Sequence, residues 1–253
     1  MKRQDFKDQF NASGPVVLPV IHVIDTEQTH RNIEVALAAG CPGVFLINHD
    51  FEKEKLIPII KEMRRAFRDT WLGVNFLAVT GKFAFPILGA LQAEGVQIDG
   101  YWADDARIDE RKSETDQPEA DEIATIRKAS GWNGLYIGGT AFKKQRDVAP
   151  ADYGKSARIA TGYMDVVVTS GVATGNAADI DKIDTFRAHC GETPLGLASG
   201  ITPENCGQYA DAVDLFMVAT GINFEGDFYN IDPGRLGRLM ELTQTKGRSS
   251  NDT

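Results

Sequence analysis

The stretch VVLPVIHVIDTEQTHRNIEVALAAGCPGVFLIN (16–48) decides the fold. It opens on a continuous apolar run, VVLPVIHV (16–23), and closes on another, GVFLIN (43–48). Neither alternates polar with apolar residues, as a strand with one wet face does; both suit parallel strands covered on two sides. Between them, the segment 30–39 has a helical pattern that stops at Gly40, a residue suited to the left-handed turn that ends many helices. Strand, helix and strand follow one another in a single unit.

Six further apolar runs continue the series: WLGVNFLAV (71–79), VQIDGYWA (96–103), GLYIGG (134–139), MDVVVTS (164–170), PLGLAS (194–199) and DLFMVAT (214–220). Helical patterns fill the gaps. Leu56, Ile60, Met63 and Phe67 share one helix face, and Leu236, Leu239, Met240 and Thr243 give a stripe to a last helix. Thr202-Pro203 and Asp232-Pro233 each offer an N-cap followed by proline at the first helical position. Eight strands alternating with helices in 253 residues predict an α/β protein that is a single (β/α)8 TIM barrel. An open doubly wound sheet is the competitor, but it usually has fewer strands. The barrel is expected to occupy 1–245, with KGRSSNDT (246–253) as a disordered tail.

The composition, 42% hydrophobic and 25% charged, is that of a folded globular protein. With 27 Lys and Arg against 36 Asp and Glu, the net charge is −9 and no basic block stands out, so no nucleic-acid partner is expected. No apolar run reaches the roughly 18 residues of a membrane span, and no membrane insertion is expected. The N-terminus has no apolar core of a secretory signal. Cys41, Cys190 and Cys206 are far apart and form neither a zinc knuckle nor a disulfide framework, which points to the cytoplasm. A homo-oligomer stays open. The segment 104–122 holds nine acidic and three basic residues; it reads as a solvated loop before a helix starting near Pro118, or as a mobile lid over the site.

In such a barrel the site lies at the C-terminal strand ends. The polar residues there are His22 and Asp25, Asn48 and His49, Asn75 and Thr80, then Trp102, Asp104 and Asp105. Thr140, Lys143 and Lys144, Thr169 and Ser170, Ser199 and Gly200, and Thr220 and Gly221 complete the ring. SGITPEN (199–205) and VATGI (218–222) each end a strand in a small hydroxyl residue and glycine, and the first is expected to open a short helix. Glycines let backbone amides approach a phosphate, and barrels often hold one after strands seven and eight. Ser199, Gly200, Ile201, Thr220 and Gly221 are therefore the expected phosphate site, against the plainer reading of two strand terminators. TSGVATGN (169–176) offers more amides for an anion or ribose, or merely a turn before a helix near Ala178.

His22 suits proton transfer near neutral pH, with Asp104 as the carboxylate and Asp105 as its alternative. Asn48 and Asn75 suit substrate orientation, and Lys143 or Lys144 suits charge balance of an anionic substrate. HExxH, a nucleophile elbow, GxGxxG and a P-loop are all missing, so neither a cofactor nor a metal is predicted.

These residues resemble the BtpA-like family, a ribulose-phosphate-binding type of TIM barrel. VVVTSGVATGN (166–176) is similar to the family's sixth-strand TG-x-ATG segment, and LASGITPENCGQYADAVD (197–214) to its SG-x-TPEN segment. VATGINFEGDFYNIDPGRLGRLM (218–240) resembles the closing segment with its D-P-x-R run. LGVNFL (72–77), IHV (21–23) and Asn48 fit the first half more patchily. The resemblance places Lys144 on the family's fifth-loop lysine; Thr169, from the strand-end ring, joins Asn48 and Asn75 as a residue expected to orient substrate. Departures cluster at the reacting end. IDTEQTH (24–30) stands where the family has a proline-rich loop, AVTG (78–81) replaces an R-N-D run, Gln145 replaces a histidine and Asn223 a lysine.

The family is named for a role in photosystem I biogenesis, while its superfamily neighbours are enzymes of phosphorylated sugars and phosphoribosyl compounds. The resemblance thus implies an enzyme acting on a small phosphorylated metabolite, by isomerase, lyase or glycosyl- or phosphoribosyl-transfer chemistry. The alternative is a non-catalytic biogenesis or assembly factor on the same barrel, with a ligand-gated regulator third. Fold alone does not choose among them.

Overall fold

Each of the eight apolar runs contains a strand. The computed structural model describes residues 1–143, 145–173 and 175–249. The strands are β1 (Val16–Val23), β2 (Gly43–Asn48), β3 (Trp71–Asn75), β4 (Gly100–Ala103), β5 (Leu135–Gly139), β6 (Val166–Ser170), β7 (Leu195–Ala198) and β8 (Leu215–Val218). They pair in parallel in chain order and close when β1 meets β8, with Val16 opposite Leu215. The chain is a single (β/α)8 barrel.

Strand periodicity sorts side chains into two cores. Val20, Phe45, Ile47, Trp102, Val168, Ala198 and Met217 point into the barrel. Their neighbours Ile21, Val23, Leu46, Tyr101, Val167 and Leu197 point outward against the helices. Aromatic rings fill the lower interior because glycines leave room for them. A Cβ on Gly73 would stand 2.4 Å from the Phe45 ring, and one on Gly100 would stand 2.4 Å from the Trp71 ring.

The helices are α1 (Arg3–Gln9), α2 (Thr26–Ala38), α3 (Lys53–Ala66), α4 (Gly81–Ala93), α5 (Pro118–Ser130), α6 (Tyr153–Ala160), α7 (Ile180–Cys190) and α8 (Pro233–Ser249). Helix α1 precedes the barrel and sends Phe6 into its interior core, with Phe10 packed beside it. Asp25, a polar strand-end residue, caps α2 by accepting the Gln28 amide at 2.8 Å.

A recurring clamp ties the N-terminal ends of the strands. An arginine on α3, Arg64, meets Asp99 at 2.5 Å, and Asp99 also accepts the Leu72 amide at the start of β3 at 2.8 Å. Arg127 on α5 meets Asp165 at 2.5 Å, and Asp165 accepts the Tyr136 amide of β5 at 2.8 Å. Arg187 on α7 meets Asp214 at 3.2 Å, and Asp214 accepts the Leu195 amide of β7 at 3.0 Å. Each aspartate immediately precedes an even-numbered strand.

Three sequence expectations are corrected here. No α-helix starts at Thr202-Pro203; the segment holds turns and a 3₁₀ stretch, Cys206–Gln208. The Asn205 side chain takes the Thr202 amide at 2.9 Å and gives a hydrogen bond to the Gly200 carbonyl at 2.6 Å. It thereby ties up groups on which a helix would be built. Second, 104–117 is a loop that ends where α5 starts at Pro118, as expected, but it is anchored as well as solvated. Glu110 is 2% exposed and takes both Arg146 nitrogens at 2.6 Å. Buried Gln117 donates to the Asp109 and Ser113 carbonyls and accepts the Asp109 amide. Third, α8 runs on through Ser249, past the expected fraying point at 246. Residues 250–253 lie outside the described residues.

Candidate functional site

The C-terminal strand ends surround a cavity at the barrel mouth. Its floor is apolar and inward-facing: Val20, Ile47, Trp102, Ala198 and Met217. Its rim carries His22, His49, Asp104 and Lys143 together with Ser199, Gly200, Ile201, Thr220 and Gly221. The two expected proton carriers and all five expected phosphate residues thus share one cavity.

The loops after β7 and β8 approach by backbone, as the glycines suggest. A Cβ on Gly221 would lie 1.8 Å from the Ile201 carbonyl oxygen, and one on Gly200 would lie 2.2 Å from that of Asn176. Asn176 is therefore packed against this site, and Gly175 lines the cavity. Ser199 and Gly200 both have positive φ, 77° and 71°. For serine that is a strained conformation of the kind that collects at functional sites. The amides of Gly200, Ile201, Thr220 and Gly221 have no backbone acceptor among the described residues. Without a helix behind them, these amides and the Lys143 cation supply the positive potential. Lys143 Nζ donates to Ser199 Oγ, and its amide donates to Ser170 Oγ at 2.8 Å. Behind the loop, Arg235 of the D-P-x-R run donates to the Gly221 carbonyl at 3.1 Å.

His22 is 5% exposed and lies under a strap formed by the chain after β8, pinned by a bridge between Asn223 and Ile231. Phe228 of this strap stacks on the imidazole with ring centres 3.8 Å apart, and His49 meets it edge-on at 4.7 Å. The Phe228 carbonyl oxygen lies 2.8 Å from Nδ1 and can only accept, so Nδ1 carries the proton and Nε2 remains an acceptor. Burial drives the His22 pKa down to about 4, and nearby His49 and Lys143 add to the fall against the pull of the Phe228 carbonyl. At neutral pH His22 is an uncharged base rather than a cation.

The sign of the linked stability follows. The folded-state pKa lies below the ordinary value of 6.5, so the unfolded chain takes up its proton first as pH falls. Stability contributed by neutral His22 is full above pH 6.5 and is lost on the way down to about pH 4. Between pH 7 and 4.5 the native protein should lose about 2–3 kcal/mol more than His22→Gln in urea unfolding. Parallel pH profiles of the two proteins would refute the assignment.

Asn75 stands behind Asp104, with Nδ2 3.1 Å from its Oδ1, and is oriented toward the carboxylate rather than the cavity. Gln145, at the position of the family histidine, donates to the Asp104 carbonyl and, at 2.9 Å, to that of Gly139. Two further expected orienting residues are likewise not brought into the cavity. Asn48 follows inward-facing Ile47 and so faces outward, donating to the Phe51 carbonyl at 2.7 Å and accepting the Leu77 amide at 3.2 Å. Thr169 likewise follows inward-facing Val168 and donates to the Ala141 carbonyl at 3.1 Å. Lys144 lies outside the described residues; Lys143, its alternative, lines the cavity. His49, the strand-end alternative to Asn48, does so too, and parity from Ile47 would have selected it. Phe228 carried no signal, since nothing local in the sequence says that the strap folds back over β1. Among the described residues, no group of three or more His, Cys, Asp or Glu side chains is placed to hold a metal, and no helix is long and apolar enough to cross a membrane.

Comparison with known proteins agrees with the resemblance read from strands six to eight. The BtpA family model matches residues 137–245. An uncharacterized protein of Thermococcus kodakarensis is 27% identical over 183 residues, covering 71% of this chain and 67% of its own length. The photosystem I biogenesis protein BtpA of Synechocystis sp. is 21% identical over 231 residues, covering 85% of this chain and 78% of its own. Tryptophan synthase subunit alpha from Legionella pneumophila superposes with a TM-score of 0.65 at 14% identity, over 98% of this chain and 99% of that one. That likeness shows the barrel fold.

Proposed function

We propose, for a barrel that shares the BtpA family pattern over its second half, an enzymatic site for a small phosphorylated metabolite of the sugar-phosphate or phosphoribosyl type. One observation carries this reading. Two loops pressed together at Ile201 and Gly221 present amides without backbone acceptors among the described residues to the same cavity that holds Asp104 and neutral His22. Ser199, Gly200, Ile201, Thr220 and Gly221 bind the phosphate, with Lys143 balancing its charge. His22, on β1 beside β8, and Asp104, after β4 across the barrel from β8, carry protons, and Asn75 aligns the carboxylate. Proton transfer between a substrate carbon or oxygen and this pair fits isomerase, lyase and glycosyl-transfer steps alike.

Titration with inorganic phosphate should move the amide NMR signals of Gly200, Ile201, Thr220 and Gly221 together, with one dissociation constant. Unmoved signals for Gly200 and Gly221 would end the phosphate reading.

A second reading, an assembly factor, has one structural observation in its favour besides the name of the Synechocystis relative. Ile24, Phe83, Val172, Ile180 and Phe224 are exposed, and all follow strand C-termini or begin the next helix, on the face that holds the cavity.

A further inference from the structure

Trp102 sits in the floor of the mouth cavity and is 4% exposed. Its Nε1–H is buried and has no acceptor among the described residues. Three other buried side-chain atoms share that condition, on Trp71, Asn75 and Tyr136, but those residues do not line this cavity. The other floor residues, Val20, Ile47, Ala198 and Met217, have no side-chain oxygen or nitrogen to offer. The ring is held edge-on by Phe45, at 6.1 Å between centres, and by Phe142, at 5.9 Å. A rigid, dry donor without a protein acceptor marks a place where a ligand oxygen recovers a hydrogen bond.

The surroundings select the kind of oxygen. Lys143 lines the same cavity and makes it attractive to partial negative charge, while Asp104, on the same rim, disfavours a second full carboxylate. A neutral carbonyl oxygen satisfies both. Strand β4 also lies across the barrel from β8, so the indole and the Gly221 loop stand on opposite sides of the cavity.

Resting on the phosphate reading above, we propose that Trp102 is a substrate-binding residue that donates its indole N–H to a carbonyl oxygen, and that the ligand is a short phosphorylated aldehyde or ketone. Held by this donor and the Lys143 cation, the carbonyl is polarised and the neighbouring C–H is acidified. The proton passes to Asp104 or to His22 Nε2. The C–H electron pair moves into the new carbon–carbon double bond, and the carbonyl pair moves onto the oxygen that Trp102 holds. Atoms and charge balance without a co-reactant.

Dihydroxyacetone phosphate and inorganic phosphate are the probes, used on the full chain by calorimetry and by indole NMR. The Trp102 signal is identified by its loss in Trp102→Phe, a variant that keeps an aromatic ring between Phe45 and Phe142. In the wild type, dihydroxyacetone phosphate should shift this indole signal downfield, whereas inorganic phosphate should leave it in place. Trp102→Phe should weaken dihydroxyacetone phosphate by about tenfold and leave inorganic phosphate unchanged. If inorganic phosphate binds but the indole stays unmoved by the ketone, or the variant binds both probes as the wild type does, the carbonyl assignment falls alone. If phosphate fails to move Gly200 and Gly221, both readings fall. Should Trp102→Phe not fold, the wild-type indole shift decides the matter, since the protein's other indoles belong to Trp71 and Trp132, outside the cavity.

Discussion

Gly221→Ala is expected to lose phosphate affinity by about 100-fold or more. The added methyl would sit 1.8 Å from the Ile201 carbonyl oxygen and 2.8 Å from the carbonyl carbon. Both are backbone atoms and cannot swing aside, so the loops after β7 and β8 must separate. Separation pulls apart the amides proposed to hold the anion, and losing two or more charge-assisted hydrogen bonds at about 1.5–3 kcal/mol each gives the stated loss. Overpacking should also destabilise the fold by about 1–3 kcal/mol. Gly40→Ala is the matched control. Its φ of 85° makes alanine unfavourable there, but a Cβ would meet nothing within 4 Å, and Gly40 lies far from the mouth at the end of α2. It should cost about 1 kcal/mol in stability and nothing in phosphate affinity. Calorimetric titration of both variants tests the pair, and equal affinities would show that the loops are not the anion site.

Asp214→Ala should destabilise the protein by about 3–5 kcal/mol, the usual effect of removing one partner from a buried ionic cluster. Asp214 is fully buried and accepts from Arg3 at 2.9 Å, Arg187 at 3.2 Å and the Leu195 amide at 3.0 Å. Alanine would leave the Leu195 amide and the Arg187 guanidinium without their carboxylate at the foot of β7. Burial already lowers the Arg187 pKa, so an unpaired charge there is unfavourable. The same substitution would release α1 from the barrel's end, since Arg3 is its ionic link to Asp214. Glu27→Ala, which removes the exposed partner of Arg31, should change stability by less than about 1 kcal/mol. Urea unfolding of the two variants measures the contrast, and a similar small change in both would discard the clamp as a source of stability.

The barrel was legible because parallel strands covered on both faces leave unbroken apolar runs, and VVLPVIHV and GVFLIN match β1 and β2 from end to end. The close approach of the loops after β7 and β8 was legible for a related reason, because backbone approach demands glycine at Gly200 and Gly221. What failed was parity. Asn48 and Thr169 face outward near their strand ends, one residue from His49 and Ser170, and a strand reverses its face with every step. Counting from Val168 and Ile47 separates the two faces, whereas a family pattern aligned on the strand as a whole does not. The turn after β7 was misread because Thr-Pro also suits a helix start, and the competing Asn205 bonds depend on a particular loop conformation. In 104–118, charge density concealed the pairing of Glu110 with Arg146, residues 36 apart in sequence.

The clamps at the foot of the barrel divide the chain in a way that its loops do not. Arg64 and Asp99 are 35 residues apart, Arg127 and Asp165 are 38, and Arg187 and Asp214 are 27. Each pair embraces one odd strand and reaches the threshold of the next even one. A cut after β4 or β6 leaves every one of these pairs within a single fragment, while a cut after β3, β5 or β7 parts an arginine from its aspartate. The barrel is in this sense punctuated in twos, with three latched hairpins of strand and helix following an unlatched first pair. Only two residues recur per unit, too few to stand out as a repeat in the sequence, yet they set the seams along which the molecule can be divided, permuted or recombined with least damage.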